Sequence, residues 1–250
     1  MEISRKEPCL SSKSTHMIAR LKQFGTVAIA AAAMALASAS SQATIIDLNL
    51  VEWAVNIDSA VADSYVPDPI PAGVNIGAFD TTSGLGTVTV SLSGAGSHHV
   101  GLFVDHEIDE PTNTFFNEYG STAGSAAAGQ SWEIDEPGWV FGDIYDNFEM
   151  SSLDNTNGVP AALADDVSMA LAWDFILSPL ESSLVSFTVS DAAPGSGFYL
   201  MQTDPDSQYS LYFTSSLAIR TVPEPATVFL LGVGLAALGF VYRHRTRVSV

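Results

Sequence analysis

Short runs rich in Val, Ile, Phe, Tyr and Thr recur along the middle of the chain, separated by clusters of Gly, Pro, Asn, Asp and Ser. The runs start about ten to twenty residues apart and no long helical periodicity intervenes, which predicts many short strands. The clearest expected strands cover 44–55, 86–93, 98–106, 167–177, 184–190, 197–203 and 208–219. Within 87–92, Val88, Val90 and Leu92 alternate with hydroxyl side chains, so one face is buried and the other wet. Val185, Phe187 and Val189 set up an inward face in the same way. Loops are expected at 66–72, broken by Pro67, Pro69 and Pro71, at 120–130, which is nearly all Gly, Ala and Ser, and at 151–166, which holds Asn155-Thr156-Asn157-Gly158. No internal repeat divides the region. The expected fold is all-β, a β-sandwich of jelly-roll or immunoglobulin-like type over 44–221.

Two apolar runs lie outside that region and do not behave as strands or core. At the N-terminus, Arg20 and Lys22 precede the uncharged, alanine-dominated run 24–37, and the small polar stretch 38–43 follows. That order predicts a signal peptide over 1–43, cleaved after Ala43 with Ser41 and Ala43 in the small peptidase pockets, or alternatively after Ala39. Glu2, Glu7 and Pro8 suit an n-region poorly, so Met17 is the better start. At the C-terminus, Pro223-Glu224-Pro225 leads into the uncharged run 226–242, and then Arg243, His244, Arg245 and Arg247. Seventeen apolar residues at a helical rise cover roughly 25 Å, a thin membrane span. The two prolines stop the helix from growing backward, and the arginines resist translocation, which places the middle of the chain outside the cytoplasm. The expected organisation is 1–43, 44–221 and 222–250, with the transmembrane helix at 226–242.

The stretch VPEPATVFLLGVGLAALGFVYRHRTR resembles the PEP-CTERM sorting tail in motif, order and spacing. The resemblance implies recognition and cleavage near the Pro-Glu-Pro by an exosortase, a membrane protease of Gram-negative bacteria that make extracellular polysaccharide. Pro223, Glu224 and Pro225 would then be the recognition element and Arg243, Arg245 and Arg247 the stop. It implies handling rather than activity: signal peptidase and exosortase as partners, transient inner-membrane anchoring, and delivery to the cell surface or beyond.

Charge sharpens the picture of the middle. Three of the 28 acidic residues and eight of the nine basic ones fall outside 44–221, leaving 25 acids against Arg220 alone, a net charge of −24. Such a domain self-repels, gains no phosphate-neutralising contacts with nucleic acid, and makes external cations, Ca²⁺ above all, reasonable partners. The only cysteine, Cys9, precedes the cleavage point, so no disulfide staples the mature domain.

Candidate chemistry starts in 98–110. On an extended strand Asp105, Glu107 and Asp109 share one side within roughly 14 Å, an oxygen set for Ca²⁺ if another loop completes it. His98 and His99 lie too far along the strand from His106 to share a zinc. Trp132 and Trp139, with Phe115, Phe116 and Tyr119, fall in or beside loops where rings stack on sugars, whereas Trp53 and Trp173 sit in strands as packing residues. For hydrolysis, Glu133, Asp135, Glu136, Asp143 and Asp146 supply carboxylates, but so many acids carry little signal, and neither a nucleophile elbow nor a His-Glu-x-x-His motif occurs. The expectation is a non-enzymatic, exosortase-sorted component of the exopolysaccharide matrix. The alternatives are a carbohydrate-binding module, with calcium as its one candidate cofactor, and a secreted glycoside hydrolase.

Overall fold

A computed structural model describes residues 46–66, 68–138, 140–221 and 230–239. Among these described residues, eleven strands form two antiparallel sheets. The first has the order β2-β1-β5-β8-β7, built from β1 Leu48–Ile57, β2 Ala60–Asp63, β5 Gly96–Ile108, β7 Gln130–Asp135 and β8 Ser168–Leu177. The second has the order β3-β4-β9-β11-β10-β6, built from β3 Val74–Phe79, β4 Gly86–Ser93, β6 Tyr119–Ala123, β9 Glu181–Ser190, β10 Tyr199–Thr203 and β11 Ser210–Thr221. This is an all-β sandwich, as the apolar spacing predicts.

Alternation explains the second sheet. Val88 and Val90 on β4, Val185, Phe187 and Val189 on β9, and Leu211 and Phe213 on β11 all point into the space between the sheets and are buried. Phe187 and Phe213 meet there at 6.3 Å between ring centres. On the opposite side Thr87 and Thr188 join their hydroxyls across the β4–β9 pair at 2.8 Å.

In the first sheet β5 and β8 are buried on both faces. Val100, Leu102, Val104 and Ile108 belong to the inter-sheet core, while Phe103 points outward into a second, smaller core with Ala54, Ala170, Ala172, Ile144, Phe148 and Leu153. The cover is the chain between β7 and β8, which carries helix α1, Ile144–Glu149. The three alanines leave room for Phe103, which meets Tyr145 edge-on at 5.2 Å and Phe148 at 5.9 Å. Gly101 serves the same contact: a Cβ there would stand 3.0 Å from Phe148. The α1 C-terminus is tied to β1 by Asn56, which donates from Nδ2 to the Phe148 carbonyl at 2.6 Å and is fully buried.

Five elements are absent from the expectation drawn from the apolar runs: β2, β3, β6, β7 and α1. β6 and β7 also occupy parts of the 120–130 segment and its flank, where a flexible excursion was expected. The Tyr-Gly-Ser-Thr-Ala of β6 has almost no apolar signal; it is a strand because its backbone pairs with β10, Tyr199 opposite Ala123 through Thr203 opposite Tyr119. At the far end, residues 230–239 are helical. Among the described residues no helix is long and apolar enough to cross a membrane. The expected span 226–242 extends past the described residues on both sides, and the signal peptide 1–43 lies wholly outside them.

Truncating a ring at the inter-sheet contact removes apolar area and leaves a cavity. Phe187→Ala is expected to destabilise the domain by about 3–5 kcal/mol, read as a shift of the urea unfolding midpoint; a loss below about 1 kcal/mol would contradict the packing described.

Candidate functional site

The cover over the first sheet protects carboxyl groups as well as Phe103. Register places Glu52 on β1 opposite Asp105 on β5, Asp105 opposite Ser168 on β8, and Ser168 opposite Asp135 on β7. A row of three acids and one hydroxyl thus crosses the outer face, next to the Ala54–Phe103–Ala170 row. Glu52 and Asp105 are each 3% exposed. Asp105 accepts from the Ser168 hydroxyl at 3.0 Å, and Tyr145 donates its hydroxyl to Asp63, on β2 beside Glu52, at 2.7 Å.

Beyond the row, an oxygen from each of Glu133, Asp135 and Asp143 falls within a 4.8 Å group. Both Glu133 oxygens also accept hydrogen bonds, one from Asn147 at 3.0 Å and one from the Asp154 amide at 3.1 Å, while Asp135 accepts from the Asp143 amide at 3.0 Å. These bonds fix the α1 segment to the edge strand. The alternation in Trp132-Glu133-Ile134-Asp135 is the sequence signal for the acids' shared face, with Ile134 in the core and Trp132 packed against it.

A further polar knot lies at the end of β5. Glu118 accepts from the Ile108 amide at 3.0 Å and from the Gln202 side-chain amide, which also donates to the His106 carbonyl at 2.7 Å. His106 itself points into the core with both ring nitrogens free of hydrogen bonds. The turn over it must be glycine: Gly84 has φ +69, and a Cβ there would lie 1.9 Å from the ring.

Burial sets the electrostatics. It pushes the Asp105 carboxyl up to about 8, helped by the Asp166 charge, and Glu118 up to about 8 against the pull of its hydrogen bonds. Glu107 and Glu133 rise to about 7, again chiefly through burial. Glu52 is raised by burial and then by its hydrogen bond with Asp63. His106 is driven down to about 4 because burial strips water from its charged form, a loss that the nearby Gly84 and Ser83 backbone only partly offsets.

The expected site residues are placed as follows. Asp105 and Glu107 share the outer face, as period two requires. Asp109 does not join them: the strand ends at Ile108, Asp109 turns at φ +56, and its carboxylate accepts from Thr112 at 2.7 Å. The three therefore do not form one ligand set, because the extended conformation on which their spacing relied stops one residue short. Trp132 does not stand in a loop: it lies on β7, half-buried, with its ring packed against the apolar core 5.8 Å from Phe198. Phe115 and Phe116 are exposed, 63% and 60%, with ring centres 6.1 Å apart. Trp139, Ala43, Pro223, Glu224, Pro225, Arg243, Arg245 and Arg247 lie outside the described residues.

Two clefts open beside the row. One, of about 170 Å³, lies between Glu52, Asp63, Tyr65, Val66 and Tyr145. The other, of about 370 Å³, lies between Phe116, Glu136, Val140, Phe141, Asp165 and Asp166.

Comparison with known proteins places the chain by its tail. Residues 221–245 match the family model for the PEP-CTERM protein-sorting motif, so the chain is a PEP-CTERM domain-containing protein. The match contains the Pro-Glu-Pro, Arg243 and Arg245, and ends two residues before Arg247. The motif implies an exported protein that transits the membrane and is processed by an exosortase. No curated protein and no solved structure matches the chain.

The buried acids make stability depend on pH with a definite sign. Asp105 and Glu118 titrate near 3.8 and 4.5 when unfolded and about 8 when folded, so the folded state holds their protons more tightly. Their contribution is complete below pH 4 and is lost as pH rises towards 8. His98, raised by the Gly94 carbonyl and then Asp58, acts in the same direction from 6.5 upward. His106 acts oppositely, but only between 6.5 and about 4. Raising pH from 6.5 to 8 is therefore expected to lower the thermal midpoint, and Asp105→Asn to make that fall shallower. A midpoint flat or rising across this window would contradict the burial of these groups.

Proposed function

We propose that the protein is a non-enzymatic structural or binding component of the extracellular polysaccharide matrix of a Gram-negative bacterium, anchored in the inner membrane only until its tail is removed. The observation that carries this reading is the meeting point of domain and motif. β11 ends at Thr221, the residue at which the sorting motif begins. Cleavage near Pro223 would release a sandwich with every described strand in place, so the tail acts as an address. A domain with many acids and a single arginine suits a hydrated, crowded matrix, where net charge keeps it from self-association. The test is the intact mass of protein recovered outside the cell. A chain ending near Pro223 is expected; one still carrying Arg247 would refute processing.

A calcium-assisted carbohydrate-binding module is the second reading, favoured by the 4.8 Å gathering of Glu133, Asp135 and Asp143 oxygens. Hard oxygen ligands of this type suit Ca²⁺, which would also relieve like-charge repulsion within the group. On this reading millimolar Ca²⁺ raises the thermal midpoint, EDTA reverses the rise, and Glu133→Gln with Asp135→Asn abolishes it. A midpoint indifferent to calcium in the unaltered protein would remove this reading.

A further inference from the structure

We infer that the cleft between Phe116, Val140, Phe141, Glu136, Asp165 and Asp166 is a docking site for a partner polypeptide segment that carries lysine or arginine between apolar side chains. The inference goes beyond the sorting reading and does not depend on it.

The chemistry of the lining selects the occupant. Val140 and Phe141 are 79% and 67% exposed and Phe116 is 60% exposed, although the domain has a well-filled core to receive apolar groups. Phe116 is also held at φ +54, a left-handed conformation that a bulky side chain rarely adopts. The rings and the branched aliphatic chain form an apolar floor, and an apolar floor this open favours an occupant that covers it. Around it stand Glu136, Asp165 and Asp166, with Glu107 and Glu110 in the adjoining hollow that shares Phe116 and both aspartates. Mutual repulsion adds to burial in raising the pKa of Glu136 and Asp166.

Among the described residues, every polar side chain lining the cleft is a carboxylate. Ionised carboxylates only accept hydrogen bonds, whereas ammonium and guanidinium groups only donate them. A sugar hydroxyl both donates and accepts, and the described lining side chains meet only the first of these needs. A cationic and apolar segment satisfies both halves of the surface, and charge complementarity of this kind raises the association rate and excludes anionic competitors.

The cleft and the start of the tail lie at different ends of the first sheet's strand β8. Asp165 and Asp166 precede Ser168 at the start of β8, while Thr221 pairs with Glu181 just beyond the other end of β8. Ten strand residues separate the two ends by roughly 30 Å. The cleft therefore lies at the opposite end of β8 from the point at which β11 reaches the sorting motif.

The test uses the full chain in non-ionic detergent, with empty micelles as the blank, and fluorescence anisotropy of labelled peptides. A peptide alternating lysine and leucine is expected to bind, and its lysine–serine counterpart to bind about tenfold more weakly. Two variants, Glu136→Gln/Asp165→Asn/Asp166→Asn and Val140→Ser/Phe141→Ser, should each weaken the lysine–leucine peptide about tenfold. Glu181→Gln/Asp58→Asn, at the opposite end, should change it less than about twofold. Thermal midpoints of the variants report whether each is folded, and circular dichroism of the bound state checks that the sandwich persists. Equal loss from the distal pair, or equal affinity for both peptides, would reduce the effect to bulk charge and overturn the proposal. Binding of a deacetylated chitosan oligosaccharide with no binding of the peptide would overturn it in favour of a glycan.

Discussion

The central strands β5 and β8 have no wet face, and the rest of the domain is arranged around that constraint. A sandwich strand ordinarily buries alternate residues and solvates the others. Here Phe103 and the alanines on either side of it are sealed by the segment between β7 and β8, so both faces of β5 and β8 count towards stability. A cover of this kind requires anchors. Asn56 holds the end of α1, Glu133 holds Asn147 and the Asp154 amide, Asp135 holds the Asp143 amide, and Tyr145 reaches Asp63. Three of these four anchoring contacts end on a carboxylate, that of Glu133, Asp135 or Asp63.

That choice joins the packing problem to an electrostatic one. A domain with a single arginine has no lysine or arginine to spare for the acids it buries. Glu52, Asp105 and Glu118 are compensated by hydrogen bonds and by retained protons instead. The ion pairs found among the described residues are histidine–aspartate contacts at one end of the first sheet, His98 with Asp58 and His99 with Asp174. The carboxyls nearer the opposite end have no such relief, and the exposed ones there surround an apolar floor. The same shortage of cations that strains the interior thus gives the surface its selectivity.

The two ends of the sandwich have different roles. At one, β11 runs out at Thr221 directly into the sorting motif, with no extra element between core and address. At the other, loops leading out of β5, β7 and into β8 bring Phe116, Val140 and Asp165 together from distant parts of the chain. Sorting and recognition are separated by the length of a strand.

The sequence by itself determined the address and the class of fold. The Pro-Glu-Pro tail is local and read in order, and the alternation at Val88–Val90 and Val185–Val189 fixes which face of each strand is buried, because both signals depend only on neighbouring residues. Tertiary structure alone decided the rest. β6 is a strand through its pairing with β10, not through its side chains. Trp132 faces inward because the parity of β7 is set by its ladder with β8. Asp109 leaves the acidic row because the strand ends at Ile108. The row itself, from Glu52 to Asp135, joins residues from four strands whose register is fixed by backbone hydrogen bonds across the sheet, and no spacing along one chain encodes that adjacency.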